Sequence, residues 1–302
     1  MREKKVSGKH SKISDLVFKK GYQEDIRLRN SFNELASNVF GISFDEWYQK
    51  GYWTDKYVPF SYIREDKVIA NVSVNKIDFV INGETKRAIQ IGTVMTDPEH
   101  RNQGLSRKLI DLVFEEYEDT CDLIYLFANQ SVLDFYPKFG FRAIEETQFS
   151  MEYKGGFKQG QDLRRLNGYN EEDLHFIYHF AADRQPVSNI LGTMNTQELL
   201  MFYCVNVFHQ DVYYIKEHDI LAIFQHHGEE MHIFDIISHQ NFEFENLLKK
   251  TVLAETKKIV FHFTPDFKTE TRPFKGSEVL FVKSKGEIVM PEAFKHPLTS
   301  QA

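Results

Sequence analysis

The chain has 302 residues, of which 42% are hydrophobic and 27% charged, and its formal net charge is −7. This length exceeds that of a typical single domain, so we expect two domains, and the composition is ordinary for a globular protein. The negative charge argues against a general nucleic-acid-binding protein, because the neutralisation of phosphates needs a cationic surface.

Cysteine usage and hydropathy favour a cytoplasmic protein. Cys121 and Cys204 lie in apolar surroundings and form no metal-binding or disulfide pattern, which fits a reducing compartment. No apolar run is long enough to span a membrane, and the basic residues after Met1 are not followed by the apolar core of a signal peptide. We therefore expect neither a membrane nor a nucleic acid as a partner.

Strands and helices alternate in the first part of the chain. The first residues, 1–12, are polar and basic and predict a frayed end. Apolar periodicity and turn residues then predict a strand at 15–18, helices at 24–39 and 43–52, and antiparallel strands at 58–63, 67–80 and 86–95. Ser43 is expected to cap the second helix, and Asn82-Gly83 is a strong hairpin dipeptide.

The junction after the last of these strands carries the most informative pattern. The strand ends at the turn 97–99, and helical spacing of apolar residues begins at Leu105. Arg101, Gly104 and Ser106 therefore lie at a helix N-terminus, whose free N–H groups and dipole suit a phosphate. Gly104 allows the backbone to approach a ligand, and Arg101 adds a fixed positive charge. By itself the pattern also fits an ordinary strand-to-helix loop.

A second motif follows further along the chain. A strand is predicted at 123–127, and residues 135–141 read Phe-Tyr-Pro-Lys-Phe-Gly-Phe. With both motifs in order, the chain resembles the GNAT superfamily of acetyl-CoA-dependent N-acetyltransferases. Their pyrophosphate loop reads Arg/Gln-x-x-Gly-x-Gly/Ala and is followed by a Phe-Tyr-x-x-x-Gly-Phe element. The one departure is Ser106, a small residue where Gly or Ala is usual.

The resemblance implies how the first part of the chain binds acetyl-CoA. In GNAT proteins the strand before the loop parts from the next strand, and the pantetheine arm pairs with the exposed backbone. Val94, Met95 and Thr96 are expected to meet the pantetheine and the thioester carbonyl, and Asn129 matches a position that often contacts the cofactor. The expected pyrophosphate loop consists of Arg101, Asn102, Gln103, Gly104, Leu105, Ser106 and Arg107. In this fold, the two early helices would cover the acceptor end.

Tyr136 matches the position that is usually assigned as the general acid. Its phenol would protonate the departing CoA thiolate from within hydrogen-bond reach of the sulfur. Pro137 predicts that a helix ends or kinks there, which would turn the Tyr136 side chain towards the cleft. The alternative is a core aromatic between Phe135 and Phe139. No general base for the acceptor amine is identified.

The second part of the chain repeats the order of the first in outline. Residues 142–145 and 149–153 are predicted to be the closing strands of the first unit, and 154–160 a linker. The elements after it are predicted as helices at 171–182 and 197–208, strands at 212–215, 220–224 and 231–237, a helix at 242–254 and a strand at 259–263.

The second unit lacks the phosphate-binding pattern. Its strand-to-helix junction at 238–243 contains no glycine and no arginine. We predict an α+β protein of tandem GNAT acyl-CoA N-acyltransferase folds, each a mixed central sheet flanked by helices. The expected catalytic domain spans 1–154, and the expected degenerate domain, without cofactor, spans 162–302.

A tandem of an active and a degenerate unit is similar to the Eis-like acetyltransferases. Residues 94–101 also resemble the corresponding loop of those proteins. Those proteins carry a third, sterol-carrier-like domain, for which the roughly forty residues after Phe263 are too few. We therefore do not expect Ala302 to supply the terminal carboxylate that those proteins use in their active site.

Histidines are dense late in the chain, at His209, His218, His226, His227, His232 and His239. None of these pairs has helical ligand spacing, and residues 226–229 predict a hairpin tip. A structural or surface role is favoured, and we expect no metal.

These features predict an N-acetyltransferase that transfers acetyl directly from acetyl-CoA to a primary amine in a ternary complex. The acceptor, a small molecule or a peptide, stays open among a polyamine, an aminoglycoside and a lysine side chain, with a mild preference for a cation from the acidic balance. A longer acyl donor also stays open. The alternative function is a non-catalytic acyl-CoA-binding regulatory protein, against which Tyr136 argues, since binding alone needs no phenol by the sulfur.

Overall fold

Two β-sheets with helices packed on them make up residues 16–154 and 163–302, the part of the chain that this computed structural model describes. The predictions for 1–12, for Asp15 and for the linker from 155 onward lie outside these residues. Both sheets contain parallel and antiparallel pairs. The predicted α+β class with mixed sheets flanked by helices is confirmed.

The first part of the chain follows the predicted order. Its elements are β1 (Val17–Lys20), α1 (Ile26–Phe40), α2 (Asp45–Gln49), β2 (Tyr57–Arg64), β3 (Lys67–Ile81), β4 (Glu84–Thr96), α3 (Leu105–Tyr117), β5 (Leu123–Asn129), β6 (Arg142–Ile144) and β7 (Thr147–Glu152). The Asp25 side chain caps α1 by accepting from two backbone N–H groups. At the β3–β4 turn, Asn82 and Gly83 have φ of 50° and 79°, as a tight hairpin requires.

The second part contains the predicted helices and strands and four further strands. Its elements are β8 (Leu163–Leu166), α4 (Glu171–Ala182), β9 (Leu191–Met194), α5 (Gln197–Asn206), β10 (Val212–Ile215), β11 (Ile220–His227), β12 (Glu230–Ser238), α6 (Phe244–Thr251), β13 (Lys258–Phe261), β14 (Glu270–Pro273) and β15 (Glu278–Ser284). Strands β8, β9, β14 and β15 were not predicted, because they are short or lie among charged residues.

The two parts of the chain exchange strands. The first sheet has the order β1-β2-β3-β4-β5-β15-β6, with β9 also paired to β3, and the second has the order β14-β7-β13-β12-β11-β10-β8. Strand β15 thus enters the first sheet between β5 and β6, while β7 leaves for the second. The expectation that 142–145 and 149–153 close the first unit together is wrong, because these strands lie in different sheets.

The helices between the sheets share one hydrophobic cluster. It joins Phe32 and Trp47 of the first part to Leu200, Cys204 and Ile237 of the second. Cys204 is fully buried, and burial raises the pKa of its thiol, as expected of a structural cysteine. Among the described helices, none is long and apolar enough to cross a membrane.

Each sheet has one parallel pair at which neighbouring strands part. Strands β4 and β5 pair only as far as Ile91 and Leu126, and β12 and β13 only as far as Ile233 and Phe261. In the second sheet, the chain's own short 3₁₀ helix Leu298–Ser300 lies at this point. The Leu298 N–H donates to the His262 carbonyl at 3.1 Å.

A buried ion pair holds this segment. The Arg184 guanidinium donates to both carboxylate oxygens of Asp235 at 2.6 and 2.7 Å, and the two side chains are 5% and 1% exposed. The Thr299 hydroxyl donates to the same carboxylate at 2.5 Å. The pair therefore fixes the terminal segment against β12.

Asp235→Asn should lower the free energy of unfolding by about 3–5 kcal/mol, because the Arg184 charge would stay buried without a counter-charge. Urea unfolding measures this. The double variant Arg184→Met, Asp235→Leu should recover much of the loss, since it removes both charges. Glu229→Gln, which breaks the exposed pair with Lys257, is the control and should change stability by less than about 1 kcal/mol. An Asp235→Asn protein as stable as the wild type would contradict this account.

Candidate active site

A cavity of about 990 Å³ opens where β4 and β5 part, and α1, α2 and α5 wall its other side. Every residue that the sequence analysis proposed for cofactor binding or catalysis lines it. These are Val94, Met95, Thr96, Arg101, Asn102, Gln103, Gly104, Leu105, Ser106, Arg107, Asn129 and Tyr136. The structure thus brings together residues that lie on three elements and a loop, and their individual roles stay predictions.

Strand β4 is irregular where it borders the cavity. Its register with β3 shifts between the pairs Ser73↔Gly92 and Asn71↔Met95, which forms a bulge. Within the bulge, Thr93 has φ of 48°, a conformation rare for a β-branched residue. The Asn71 amide donates to the Thr93 carbonyl at 2.9 Å and helps to hold it. Because the ladder to β5 ends at Ile91, the bulge presents its backbone to the cavity.

The loop from 101 to 107 begins helix α3. Gly104 has φ of 73°, and a Cβ placed on it would meet no atom within 4 Å, so its backbone faces open space. The Thr96 and Ser106 hydroxyls lie 2.9 Å apart, and Arg101 Nε donates to the Thr96 carbonyl at 3.3 Å. The free N–H groups of the first turn, with the two arginines at 101 and 107, make this end of the cavity suited to an anion.

Tyr136 borders the same cavity, but the helix around it differs from the predicted one. It begins the 3₁₀ helix Tyr136–Phe139, whereas the sequence analysis expected a helix to end there. Pro137 is tolerated because the first turn of a helix uses no N–H at that position. The ring packs at 5.2 Å from Phe135 and 5.7 Å from Phe281 and is 5% exposed. Burial raises the pKa of Tyr136 to about 12, so the phenol stays protonated at neutral pH.

Glu278 is a lining residue that the sequence analysis did not find. It is the first residue of β15, where it pairs with Asn129 of β5, and it accepts a hydrogen bond from the Gln301 side chain. Burial raises the pKa of its carboxyl. No local pattern marks Glu278, because its place depends on β15 crossing into the first sheet.

Aromatic side chains wall the cavity away from the loop. Phe44 stacks on Tyr57 at 5.5 Å, and Phe202 lies 5.3 Å from Phe44 and 6.0 Å from Trp47. Helices α1 and α2 contribute Phe40 and Trp47 to the lining of this end, and its role as the acceptor end stays a prediction. Helix α5 of the second part completes the wall, which the sequence could not show.

Ala302 also lines the cavity, although the sequence analysis gave the last residue no place in the site. Its N–H donates to the Gln90 side chain, and the Gln90 amide donates to the Ser300 carbonyl at 3.0 Å. A Cβ at Gly92 would lie 3.2 Å from that of Ala302. Glycine at position 92 therefore leaves room for the terminal residues beside β4.

Among the histidines of residues 16–154 and 163–302, His100 at the loop end is the one that lines this cavity. His226 and His227 end β11 next to the hairpin turn, as predicted. No group of three or more His, Cys, Asp or Glu side chains among residues 16–154 and 163–302 is arranged to hold a metal ion.

Comparison with known protein families gives a match to the first part of the chain. Residues 27–144 match the model of the acetyltransferase (GNAT) domain. GNAT domains use an acyl-CoA as co-substrate. A search of curated proteins found no match to this sequence.

Solved structures share the fold over most of the chain. A protein of unknown function from Enterococcus faecalis V583, described as a probable N-acyltransferase, has a TM-score of 0.60 at 14% identity and covers 89% of this chain and 72% of its own. The GCN5-related N-acetyltransferase from Kribbella flavida has a TM-score of 0.55 at 13% identity, with coverage of 91% and 72%. Eis1 from Mycobacterium abscessus has a TM-score of 0.54 at 11% identity, with coverage of 89% and 73%.

At such identities these likenesses concern the fold alone, whereas the family match concerns the sequence of residues 27–144. The two findings agree on the segment that contains the parting strands, the loop at 101–107 and Tyr136. Residues 27–144 therefore match the acetyltransferase (GNAT) domain, within a larger fold that the chain shares with structures such as that of the probable N-acyltransferase.

Proposed function

We propose that the protein is an N-acetyltransferase that transfers acetyl from acetyl-CoA directly to a primary amine. One observation carries this proposal: a single cavity is bordered at one end by a helix N-terminus with two arginines and further along by the buried phenol of Tyr136. The first feature suits a pyrophosphate, and the second suits a leaving thiolate. The acetyltransferase domain at 27–144 supports the same reading.

The lining residues fit acetyl-CoA. Gly104 and the first turn of α3 would hold the pyrophosphate, because the open space at Gly104 lets the oxygens approach the backbone. The bulged backbone of Val94, Met95 and Thr96 would pair with the pantetheine amides as an added strand does, with Asn129 opposite. When bound, acetyl-CoA supplies an activated acyl group as a thioester.

With acetyl-CoA bound, the neutral amine would attack the thioester carbonyl, so that the C–N bond forms and the C–S bond breaks. The nitrogen would lose a proton to solvent and CoA would leave as the thiolate, so no residue of the protein needs to be acylated. Tyr136 donates a hydrogen bond to the sulfur as negative charge develops there. A thiol has a pKa near 8.5, well below the value of about 12 for Tyr136, so a hydrogen bond rather than complete proton transfer supplies most of this stabilisation.

We further propose that the chain consists of a catalytic unit at 1–154 and a degenerate unit at 162–302 that binds no cofactor, and that it works in the cytoplasm. The place of residues 298–300, at the point where β12 and β13 part, supports the absence of a second cofactor. The free thiols Cys121 and Cys204 fit a reducing compartment.

Thiol release from acetyl-CoA tests the proposal. The wild type should release CoA only when an amine from a panel of polyamines, aminoglycosides, lysine peptides and arylalkylamines is present, and calorimetry should show acetyl-CoA binding without any amine. Binding of acetyl-CoA with no release across the panel would favour the alternative, a regulatory acyl-CoA-binding protein.

A further inference from the structure

The cavity has a charged end and an apolar end. Its basic side chains, His100, Arg101 and Arg107, all belong to the region of the loop. Among the described lining residues, Glu278 is the one acidic side chain. The remaining wall beyond Tyr136 is formed mainly by aromatic and aliphatic groups from α1, α2 and α5. A molecule in this second part therefore meets one negative side chain and a large apolar surface.

Glu278 lines the cavity beside residues that we propose to lie near the thioester, Asn129 and Tyr136. Its strand partner is Asn129, and its charge acts on the phenols of both Tyr136 and Tyr203. An ammonium group held by Glu278 is thus close to the phenol proposed to face the sulfur, and it becomes a nucleophile once it has lost a proton to solvent. The Gln301 amide orients the carboxylate by donating to it, so Glu278 is positioned before a ligand binds.

The apolar wall suits a ring or a branched hydrocarbon. Phe44, Trp47 and Phe202 contact one another at centroid distances of 5.3 to 6.1 Å and come from elements on both parts of the chain. Trp47 donates its indole N–H to the Glu198 carbonyl at 2.7 Å and is 1% exposed, so it supports the wall from behind. The half-buried Phe202 is the ring of this group that a ligand can reach. A ligand therefore binds this wall more tightly the more apolar surface it buries there.

We propose that the acceptor is a primary amine with a single ammonium group on an aromatic or bulky apolar body. Glu278 binds the ammonium group, and Phe202, supported by the buried Phe44 and Trp47, packs against the body. This inference rests on the proposed function and gives its acceptor class. It replaces the mild preference for a polyamine or an aminoglycoside, because each additional ammonium group would be desolvated against this wall without a carboxylate side chain to pair with.

The affinity for such an amine should fall as the pH is lowered through the pKa of Glu278. Burial raises that pKa above the ordinary value of 4.5, and the Gln301 hydrogen bond opposes the rise. Without an amine, the free energy of unfolding therefore falls as the pH rises through this pKa and the buried carboxyl ionises. A bound ammonium group offsets that loss, because it pairs with the carboxylate. The other ionisable groups that act on Glu278 are Tyr136, Tyr203, Glu146 and Lys295. Titrations with 2-phenylethylamine at several pH values should show this loss in the wild type and a flat profile in Glu278→Gln.

Binding can be followed without turnover. Trp47 lines the cavity, and the ring of Trp53, the other tryptophan of the chain, lies 6.0 Å from it. We therefore use tryptophan fluorescence to follow binding. The probes are 2-phenylethylamine, its neutral isostere 2-phenylethanol, and spermidine, each titrated with and without CoA. We expect 2-phenylethylamine to bind roughly ten times more tightly than either of the others, the usual effect of one charge-assisted hydrogen bond.

Glu278→Gln should weaken the binding of 2-phenylethylamine about 10- to 100-fold and leave the affinities for 2-phenylethanol and acetyl-CoA unchanged. Glu270→Gln, the same change on the exposed strand β14, should leave all three unchanged. Tighter binding of spermidine, or a Glu278→Gln protein that binds 2-phenylethylamine as the wild type does, would overturn the inference. Selective amine binding without thiol release would uphold the inference and overturn the proposed function.

Discussion

Gly104→Glu should abolish acetyl-CoA binding, with a loss of at least about 100-fold in affinity. The new carboxylate would enter the open space at the start of α3 and repel the pyrophosphate by charge and by volume. The left-handed backbone at φ 73° adds a strain of roughly 1–2 kcal/mol for any residue with a Cβ. Isothermal titration calorimetry with acetyl-CoA measures the loss.

The control for strain is Gly228→Glu. Gly228 has φ of 60° in the turn between β11 and β12, and a Cβ there would also meet nothing within 4 Å. This variant should lose a similar amount of stability and keep its affinity for acetyl-CoA. Gly104→Ala separates strain from charge and should bind acetyl-CoA more tightly than Gly104→Glu. Undiminished affinity in Gly104→Glu would rule out the loop as the pyrophosphate site.

Tyr136→Phe should lower kcat by about 10²- to 10⁴-fold and change the Kd of acetyl-CoA little. The variant removes one hydroxyl and keeps the ring that packs against Phe135 and Phe281, so the fold should persist. Steady-state thiol release with the best acceptor, together with calorimetry for acetyl-CoA, measures the two quantities separately.

Tyr213→Phe is a matched control, because Tyr213 lies in β10 of the second sheet and its ring stacks on Phe224 at 4.3 Å. It should turn over at the wild-type rate. If Tyr136→Phe is equally fast, the phenol has no part in the chemistry, and Tyr136 is the core aromatic that the sequence left as the alternative.

Local periodicity explains what could be predicted from the sequence. Helix α4 occupies the predicted residues, Glu171–Ala182, because its apolar spacing and its cap, Asn170, are both local signals. The loop at 101–107 and Tyr136 were found from motifs that lie within fifty residues of each other. These features need no knowledge of which strands pair.

Partner choice between distant strands explains what could not be predicted. Strands β7 and β6 are separated by two residues and lie in different sheets, and β15 pairs with β5 from about 150 residues away. Such pairing depends on the assembled surfaces of both sheets, not on the pattern of either strand. Glu278 and the wall from α5 reach the cavity only through these long-range contacts, so they were missed.

The strand exchange also sets the order in which the site can be completed during synthesis. When residues 16–154 have left the ribosome, strand β5 still has a bare edge, and its neighbour β15 has not been made. Bare edges recruit strands from other chains, so the nascent protein is exposed to aggregation until residue 284 emerges. The cavity therefore gains Glu278, Gln301 and Ala302 last. An incomplete chain released early would have the phosphate loop without the carboxylate that we assign to the amine.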